Sequence, residues 1–128
     1  MIRNVIKSDK APAALGPYSV AIRTDSMVFT SGQVGFDPST GEFVEGGIEE
    51  QTRQALTNLK HVLEASGSDL EHVVKTTVFL QDMNDFVMMN AVYAEFFSED
   101  SPARSTVAVA GLPKGALVEI ETTALLRT

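Results

Sequence analysis

The fold is decided by residues 116–127, which read ALVEIETTALLR. Apolar and polar side chains alternate there with period two, which is typical of a β-strand whose two faces meet different surroundings. One face would carry Val118, Ile120, Thr122 and Ala124. The opposite face would carry Leu117, Glu119, Glu121, Thr123 and Leu125. We therefore expect a long strand in which two glutamates stand among apolar residues on the face away from the core.

The residues before this strand predict two helices and one more long strand. Residues 74–81 alternate over a β-branched run, with Val74, Thr76, Val78 and Leu80 on one face. A helix begins near Ile48, with acidic residues in its first turn, and ends at Gly67. The second helix carries an apolar stripe with one polar exception, Asn90. The stripe consists of Met83, Phe86, Val87, Asn90, Ala94 and Phe97.

The remaining segments predict short strands and loops. Strands are expected at 2–7, 18–23, 27–31 and 104–110, with turns at 24–26 and 111–115 and loops at 11–17 and 32–47. Three strands, a helix, a strand, a helix and two strands predict an α+β fold, in which two helices cover one face of a sheet. A length of 128 residues suits one domain, residues 1–128.

The uncovered face of the predicted sheet is too apolar for a monomer. Leu117, Leu125, Val73 and Phe79 are all expected on it. Large exposed apolar patches are uncommon on monomeric proteins, so a second copy of the chain is the usual cover. We therefore expect a homo-oligomer whose sheets pack inward, with Glu119 and Glu121 near a subunit interface.

The composition excludes several classes of protein. The chain has no cysteine, which removes disulfide scaffolds, thiolate metal sites and cysteine nucleophiles. A net charge of −7, with basic residues scattered rather than clustered, makes nucleic acid a poor partner. No segment has the apolar length of a membrane span or a signal peptide, so we expect a soluble, cytoplasmic protein. The two histidines, His61 and His72, have no acidic partner at ligand spacing, and no metal site is predicted.

Three residues are candidates for the chemistry, and each has a plainer alternative. Arg104 opens a strand in a region poor in positive charge, where its planar fork would suit a substrate carboxylate; a surface ion pair is the alternative. Glu119 lies between Val118 and Ile120, where desolvation can raise its pKa for acid–base work; a solvated edge-strand carboxylate is the alternative. Ser31 is a candidate nucleophile without an evident base, or simply a strand end.

Seven segments together resemble the RidA/YjgF (reactive intermediate deaminase) family. They are APAALGPY at 11–18, TSGQ at 30–33, VKTTVF at 74–79, NAVY at 90–93, PARSTV at 102–107, LPK at 112–114 and VEIE at 118–121. The resemblance extends over nearly the whole chain, in order. It implies a chorismate-mutase-like fold of the bacillus type and a homotrimer with a central barrel, in which three sites lie between subunits.

The resemblance also implies roles for individual residues. The carboxylate-binding arginine corresponds to Arg104 and the acid–base glutamate to Glu119. The substrate pocket would be completed by Tyr18, Ser31, Gly32, Asn90 and Thr106. Many relatives have cysteine where this chain has Thr106, and because that residue is thought to act through its backbone N–H, a threonine should preserve binding.

The implied activity is hydrolysis of reactive imines and enamines, such as 2-aminoacrylate and 2-iminobutanoate, to 2-keto acids and ammonia. No metal or organic cofactor is expected, and the only partners are the small 2-imino or 2-keto acid and further copies of the chain. Two alternatives stay open on the sequence alone. One is an endoribonuclease that inhibits translation, and the other is a trimer that binds small carboxylates without catalysis.

Overall fold

Eight strands and two α-helices make up the fold in the computed structural model, which describes residues 1–128. The strands are β1 (Asn4–Ile6), β2 (Ala21–Arg23), β3 (Met27–Thr30), β4 (Phe36–Asp37), β5 (Glu42–Phe43), β6 (Val73–Leu80), β7 (Ala103–Ala108) and β8 (Val118–Leu125). The helices are α1 (Ile48–Ala65) and α2 (Phe86–Phe96). Neither helix combines the length and apolarity needed to cross a membrane.

The six longer strands form one mixed sheet in the order β1-β2-β3-β8-β6-β7. Only the β6–β7 pair is parallel, because α2 connects these two strands. The predicted alternation in β8 is confirmed, since Val118, Ile120, Thr122 and Ala124 are all buried. Their pairing partners on β6 include Val78 and Leu80, which are also buried. The central strands thus separate a core face from an open face.

Both helices pack on the core face, as the sequence predicts. The predicted first helix is confirmed: Glu50 accepts a hydrogen bond of 2.9 Å from the Gly47 N–H at its start. After its last turn Gly67 adopts a φ of +83°, a conformation that favours glycine. The largest fully buried side chains of α1 are Leu56, Leu59 and Leu63. On the open face, Phe29, Val107 and Leu125 remain exposed, and Phe79 is half-buried.

The prediction of which β6 side chains face the core is wrong at the start of the strand. Val73 is 6% exposed and packs in the core, whereas Val74 is 41% exposed. The pairing with β8 shifts register between Val73 and Lys75. A β-bulge of this kind inserts one extra residue and reverses the alternation on one side of it. From Thr76 onward the strand follows the predicted pattern, with Thr76 buried.

The predicted stripe of the second helix is also wrong in part. Val87 is 76% exposed and Ala94 is exposed, whereas Met89, Val92 and Tyr93 are buried. The segment reads FVMMNAVYAEF and is apolar on every side, so its periodicity does not identify the face toward the core. Contact with the sheet, rather than the sequence pattern, orients this helix.

Residues 32–47 are not one irregular loop, because β4 and β5 form a short hairpin within them. The rings of Phe36 and Phe43 pack across it with centroids 4.5 Å apart. The buried Asn58 amide of α1 donates hydrogen bonds of 3.2 and 2.9 Å to the carbonyls of Val34 and Phe36. A backbone bridge between Gln33 and Ile120 joins the same segment to β8. These contacts hold Gly32 beside Glu119.

Candidate active site

Arg104 lies on the core face of β7, the edge strand, where α2 crosses it. Its guanidinium carbon is 4.7 Å from the centroid of the Tyr93 ring and 5.6 Å from that of Phe86. No carboxylate forms an ion pair with it, and its N–H groups form no hydrogen bond within the chain. The interpretation of Arg104 as a surface ion pair is therefore wrong. The guanidinium is half-buried, positively charged and free to bind an anion.

Asn90 and Thr106 belong to the same part of the molecule. Asn90 lies between Phe86 and Tyr93 on one helical stripe, at spacings of four and three residues. Thr106 follows Arg104 by two residues on β7 and so shares its face. The Asn90 Oδ1 and Thr106 Oγ1 atoms are buried and have no hydrogen-bond partner in the chain. We call the group of Asn90, Arg104 and Thr106 the arginine half-site.

Glu119 lies on the open face of β8, beside a second group of predicted site residues. Its partner across β6 is Phe79. With Tyr18 and Gly32 it lines a cavity of about 40 Å³, whose walls are otherwise mainly apolar. Tyr18 is half exposed, and its hydroxyl accepts a hydrogen bond of 3.1 Å from the Leu15 N–H. We call the group of Tyr18, Ser31, Gly32 and Glu119 the glutamate half-site.

Ser31 joins the glutamate half-site through its position, because it directly precedes Gly32. Its hydroxyl donates a hydrogen bond of 2.6 Å to the Ser19 carbonyl, and its N–H donates to the Val20 carbonyl. The hydroxyl therefore serves the local backbone and contacts no histidine or lysine. This geometry favours the interpretation of Ser31 as a strand end over that of a nucleophile.

The pKa of the Glu119 carboxyl is raised above its usual value. Burial beside the apolar wall is the larger cause, and the negative charge of Glu121 on the same face is the smaller one. The alternative interpretation, a solvated carboxylate on an edge strand, is wrong because β8 lies inside the sheet between β3 and β6 and Glu119 is partly buried. A carboxyl with a raised pKa is a better proton acceptor than an ordinary one and can also return the proton nearer to neutral pH.

Gly32→Ala is expected to lower the rate of the imine hydrolysis that the sequence resemblance implies. A Cβ atom at position 32 would lie 2.7 Å from the Glu119 carboxyl carbon, so the carboxyl group must move. A displacement of about 1 Å can cost roughly 100-fold in rate. The measurement is kcat, and the control is Gly111→Ala, where the added Cβ contacts nothing within 4 Å. A Gly32→Ala variant with the kcat of the control would contradict this geometry.

The two half-sites lie apart within one chain. Arg104 pairs with Thr76, which pairs with Thr122. Glu119 lies three residues before Thr122 on β8 and faces the opposite side of the sheet. The Arg104 and Glu119 Cα atoms are about 14 Å apart from strand geometry alone. Their side chains point away from each other. A single chain therefore does not bring both groups onto one small molecule.

Neither a further cleft nor the two histidines form a second candidate site. A cleft of about 500 Å³ is lined by Glu71, Glu99 and Asp100 and includes none of the predicted site residues. No group of three or more histidine, aspartate or glutamate side chains is placed to hold a metal ion. His61 Nδ1 lies 3.0 Å from the Lys10 carbonyl, and His72 Nδ1 lies 2.7 Å from Asp69 Oδ1. His72 thus has one acidic partner, Asp69, in an ion-pair contact.

The sequence reasoning missed the aromatic rings around Arg104. The apolar stripe predicted for the second helix includes Phe86 but does not include Tyr93. The available signal was spacing, since Tyr93 follows the candidate Asn90 by three residues and therefore shares its face of a helix.

The fold and these half-sites define a small α+β protein with one helix-backed sheet and a separated arginine and glutamate. Residues 8–126 match the family described as Endoribonuclease L-PSP. The chain belongs to this family, which is the RidA/YjgF family that the sequence motifs indicate. The family prediction is thereby confirmed.

Relatives with established names agree with this assignment. A 2-iminobutanoate/2-iminopropanoate deaminase of Mus musculus is 52% identical over 98% of this chain and 93% of its own length. The crystal structure of RidA from an Antarctic Psychrobacter species is 47% identical, with a TM-score of 0.93, covering 97% of this chain and 100% of that one. The crystal structure of E. coli TdcF with bound serine is 42% identical, with a TM-score of 0.92, covering 98% and 99%. The predicted fold class is confirmed by these structures.

Proposed function

We infer that this chain is a deaminase that hydrolyses imines and enamines of short 2-keto acids, releasing the keto acid and ammonia. The relative from Mus musculus that bears this activity in its name is 52% identical over 98% of the chain. The observation in the structure that supports it most is the unpaired guanidinium of Arg104, which suits the carboxylate of a 2-imino acid. The acidic, cysteine-free composition fits a place in the cytoplasm.

Arg104 would bind the substrate and Glu119 would move the protons. Two parallel N–H···O bonds from the guanidinium fix the carboxylate and set the orientation of the neighbouring C=N carbon. Glu119 accepts a proton from a water molecule as the water oxygen bonds to that carbon, and the imine nitrogen gains a proton. Glu119 then returns its proton to the carbinolamine nitrogen, and the C–N bond breaks as the hydroxyl oxygen forms the C=O bond. The hydroxyl proton passes to water, which balances the proton taken up by the imine, and ammonia and the 2-keto acid leave.

The reaction needs both half-sites, and we propose that neighbouring chains supply one each. Apolar side chains stand exposed beside both groups, as a contact between copies requires. Leu15 and Tyr18 are exposed at the cavity that Glu119 lines. Met83, Val87 and Met88 are exposed around the start of α2, where Phe86 contacts Arg104. A homotrimer would pair each arginine half-site with the glutamate half-site of its neighbour and would cover the open sheet face. Tyr18, Ser31, Gly32, Asn90 and Thr106 would then line three equivalent clefts.

The proposed activity is tested by following an imine as it forms. A threonine dehydratase generates 2-iminobutanoate, and semicarbazide traps the fraction that has not been hydrolysed. Active protein should lower the trapped fraction in proportion to its concentration, whereas equal trapping with and without the protein would overturn the proposal. Binding of 2-ketobutyrate without any loss of trapping would favour the non-catalytic carboxylate-binding alternative.

The name of the matched family makes RNA cleavage the rival activity to test. The net charge of −7 opposes binding to a phosphate backbone, and no basic cluster offsets it. Purified protein is therefore expected to leave a labelled RNA intact under conditions in which imine hydrolysis proceeds. RNA degradation that disappears on Arg104 substitution would support the rival.

A further inference from the structure

Arg104 is held by the faces of aromatic rings and has no acidic partner. The contrast within this chain is Arg53, whose guanidinium donates two hydrogen bonds, of 3.1 and 2.8 Å, to the Glu95 carboxylate. Arg104 instead lies over the rings of Tyr93 and Phe86, both on α2. A ring face attracts a cation through its quadrupole and uses none of the N–H donors. The donors of Arg104 therefore stay available.

Tyr93, the nearer ring, is fixed at both ends. Its hydroxyl lies 2.9 Å from the Thr76 hydroxyl, and both residues are buried. Its ring packs against Phe97 with centroids 4.8 Å apart. Thr76 is also the register partner of Arg104 on the adjacent strand, so the hydroxyl pair anchors α2 at the level of the arginine. Burial raises the pKa of Tyr93, which keeps the phenol neutral and leaves the guanidinium without an anionic partner.

We propose that Tyr93 is a positioning residue, which holds the Arg104 guanidinium by its ring face so that both arms of the fork point to the substrate carboxylate. The proposal rests on the function inferred above and deepens it, because it names what orients the carboxylate-binding group. The ring is the acting part, and the hydroxyl serves to anchor the ring on Thr76. Loss of the ring should weaken carboxylate binding roughly 3- to 30-fold, the range that corresponds to a cation–π contact.

The test distinguishes the effect of the Tyr93 ring on substrate binding from the effect of its hydroxyl. The double variant Tyr93→Phe/Thr76→Val keeps the ring and removes both hydroxyls, so that neither is left buried and unpaired. The double variant Tyr93→Leu/Thr76→Val removes the ring as well. In the first variant the packing of the ring against Phe97 remains, so we expect a KM for 2-iminobutanoate within about twofold of the wild type. In the second we expect a KM raised roughly 3- to 30-fold with little change in kcat. Equal KM values in the two variants would overturn the proposal.

A binding cycle tests the same coupling without catalysis, at a temperature where circular dichroism shows folded protein. Calorimetric titration with 2-ketobutyrate compares Tyr93→Leu in the wild-type and Arg104→Ala backgrounds. The loss of affinity should be seen only where Arg104 is present, and an equal loss in both backgrounds would overturn the proposal. Phe86→Leu, which alters the more distant ring, supplies a second variant if Tyr93→Leu does not fold, and it should give a smaller loss. Unchanged affinity in a folded Phe86→Leu variant would then count against the ring-face contact.

The outcomes distinguish this proposal from the inferred activity. Wild-type protein that binds 2-ketobutyrate but hydrolyses no imine would overturn the activity, and the calorimetric cycle would still decide the role of Tyr93. Wild-type protein that hydrolyses imine while the ring-free variant keeps its KM would overturn only the role of Tyr93. Wild-type protein that neither binds 2-ketobutyrate nor hydrolyses imine would overturn both the inferred activity and the role of Tyr93.

Discussion

Arg104→Lys is expected to lose most of the imine hydrolysis. An ammonium group keeps the charge but replaces a planar fork with a point charge, so one of two parallel hydrogen bonds to the carboxylate is lost and the orientation of the C=N carbon is lost with it. A hydrogen bond to a charged group contributes about 1.5–3 kcal/mol, which corresponds to roughly a 10- to 100-fold rise in KM. Initial rates over a range of imine supply measure the effect.

Arg53→Lys is the matched control for this substitution. Arg53 also uses its fork on a carboxylate, that of Glu95, but on an exposed surface with side chains 45% and 49% accessible. Exposed ion pairs contribute about 0–1 kcal/mol, so this variant should keep wild-type kinetics. An Arg104→Lys variant as active as Arg53→Lys would show that the substrate carboxylate is not bound by a fork at residue 104.

Glu119→Gln is expected to abolish proton transfer while stabilising the fold. The amide is nearly the same size and keeps hydrogen-bonding capacity, but it neither accepts a proton from water nor returns one. Removing one acid–base group typically lowers the rate about 100- to 10,000-fold. Glu121→Gln is the control, because it makes the same change two residues away on the same face; the variant should stay active, with its acid limb moved to lower pH as the pKa of Glu119 falls.

The change in stability has a definite sign and pH range. The folded-state pKa of Glu119 is raised, so the folded protein disfavours the charged form relative to the unfolded chain. This penalty is absent at acid pH, where the carboxyl is protonated in both states, and is fully present above the folded-state pKa. Glu119→Gln should therefore melt at a higher temperature than the wild type at neutral pH and lose that advantage on acidification. A lower melting temperature at neutral pH would contradict the raised pKa.

The layer architecture could be predicted because burial in this fold follows simple periods. The alternation of residues 116–127 and the spacing along residues 48–63 each have one apolar side. In two places burial does not follow the period of the sequence. The bulge at Val73 reverses a strand's faces without any local signal of its own. The α2 helix has apolar residues on every side, so tertiary contact decides which side is buried. The hairpin at 36–43 was missed because its strands have two residues each.

The candidate site was predicted residue by residue, but its geometry was not. Motif resemblance points to Arg104 and Glu119 separately, and only the register of β6 with its two neighbours shows that they face opposite sides of the sheet. The aromatic setting of Arg104 depends on which side of α2 meets the sheet, and the stripe predicted from the sequence is wrong in part on this point. The separation of the two groups is what makes a second chain necessary to the proposed mechanism.

Subunit complementation tests this necessity most directly. Arg104→Ala and Glu119→Gln chains carrying different tags are co-expressed, and assemblies that contain both are isolated by purification on each tag in turn. In a trimer of mixed composition, one of the three boundaries always joins an intact Arg104 to an intact Glu119, so about one third of the wild-type rate should return. Mixed assemblies as inactive as either parent would mean that no boundary between chains joins the two groups.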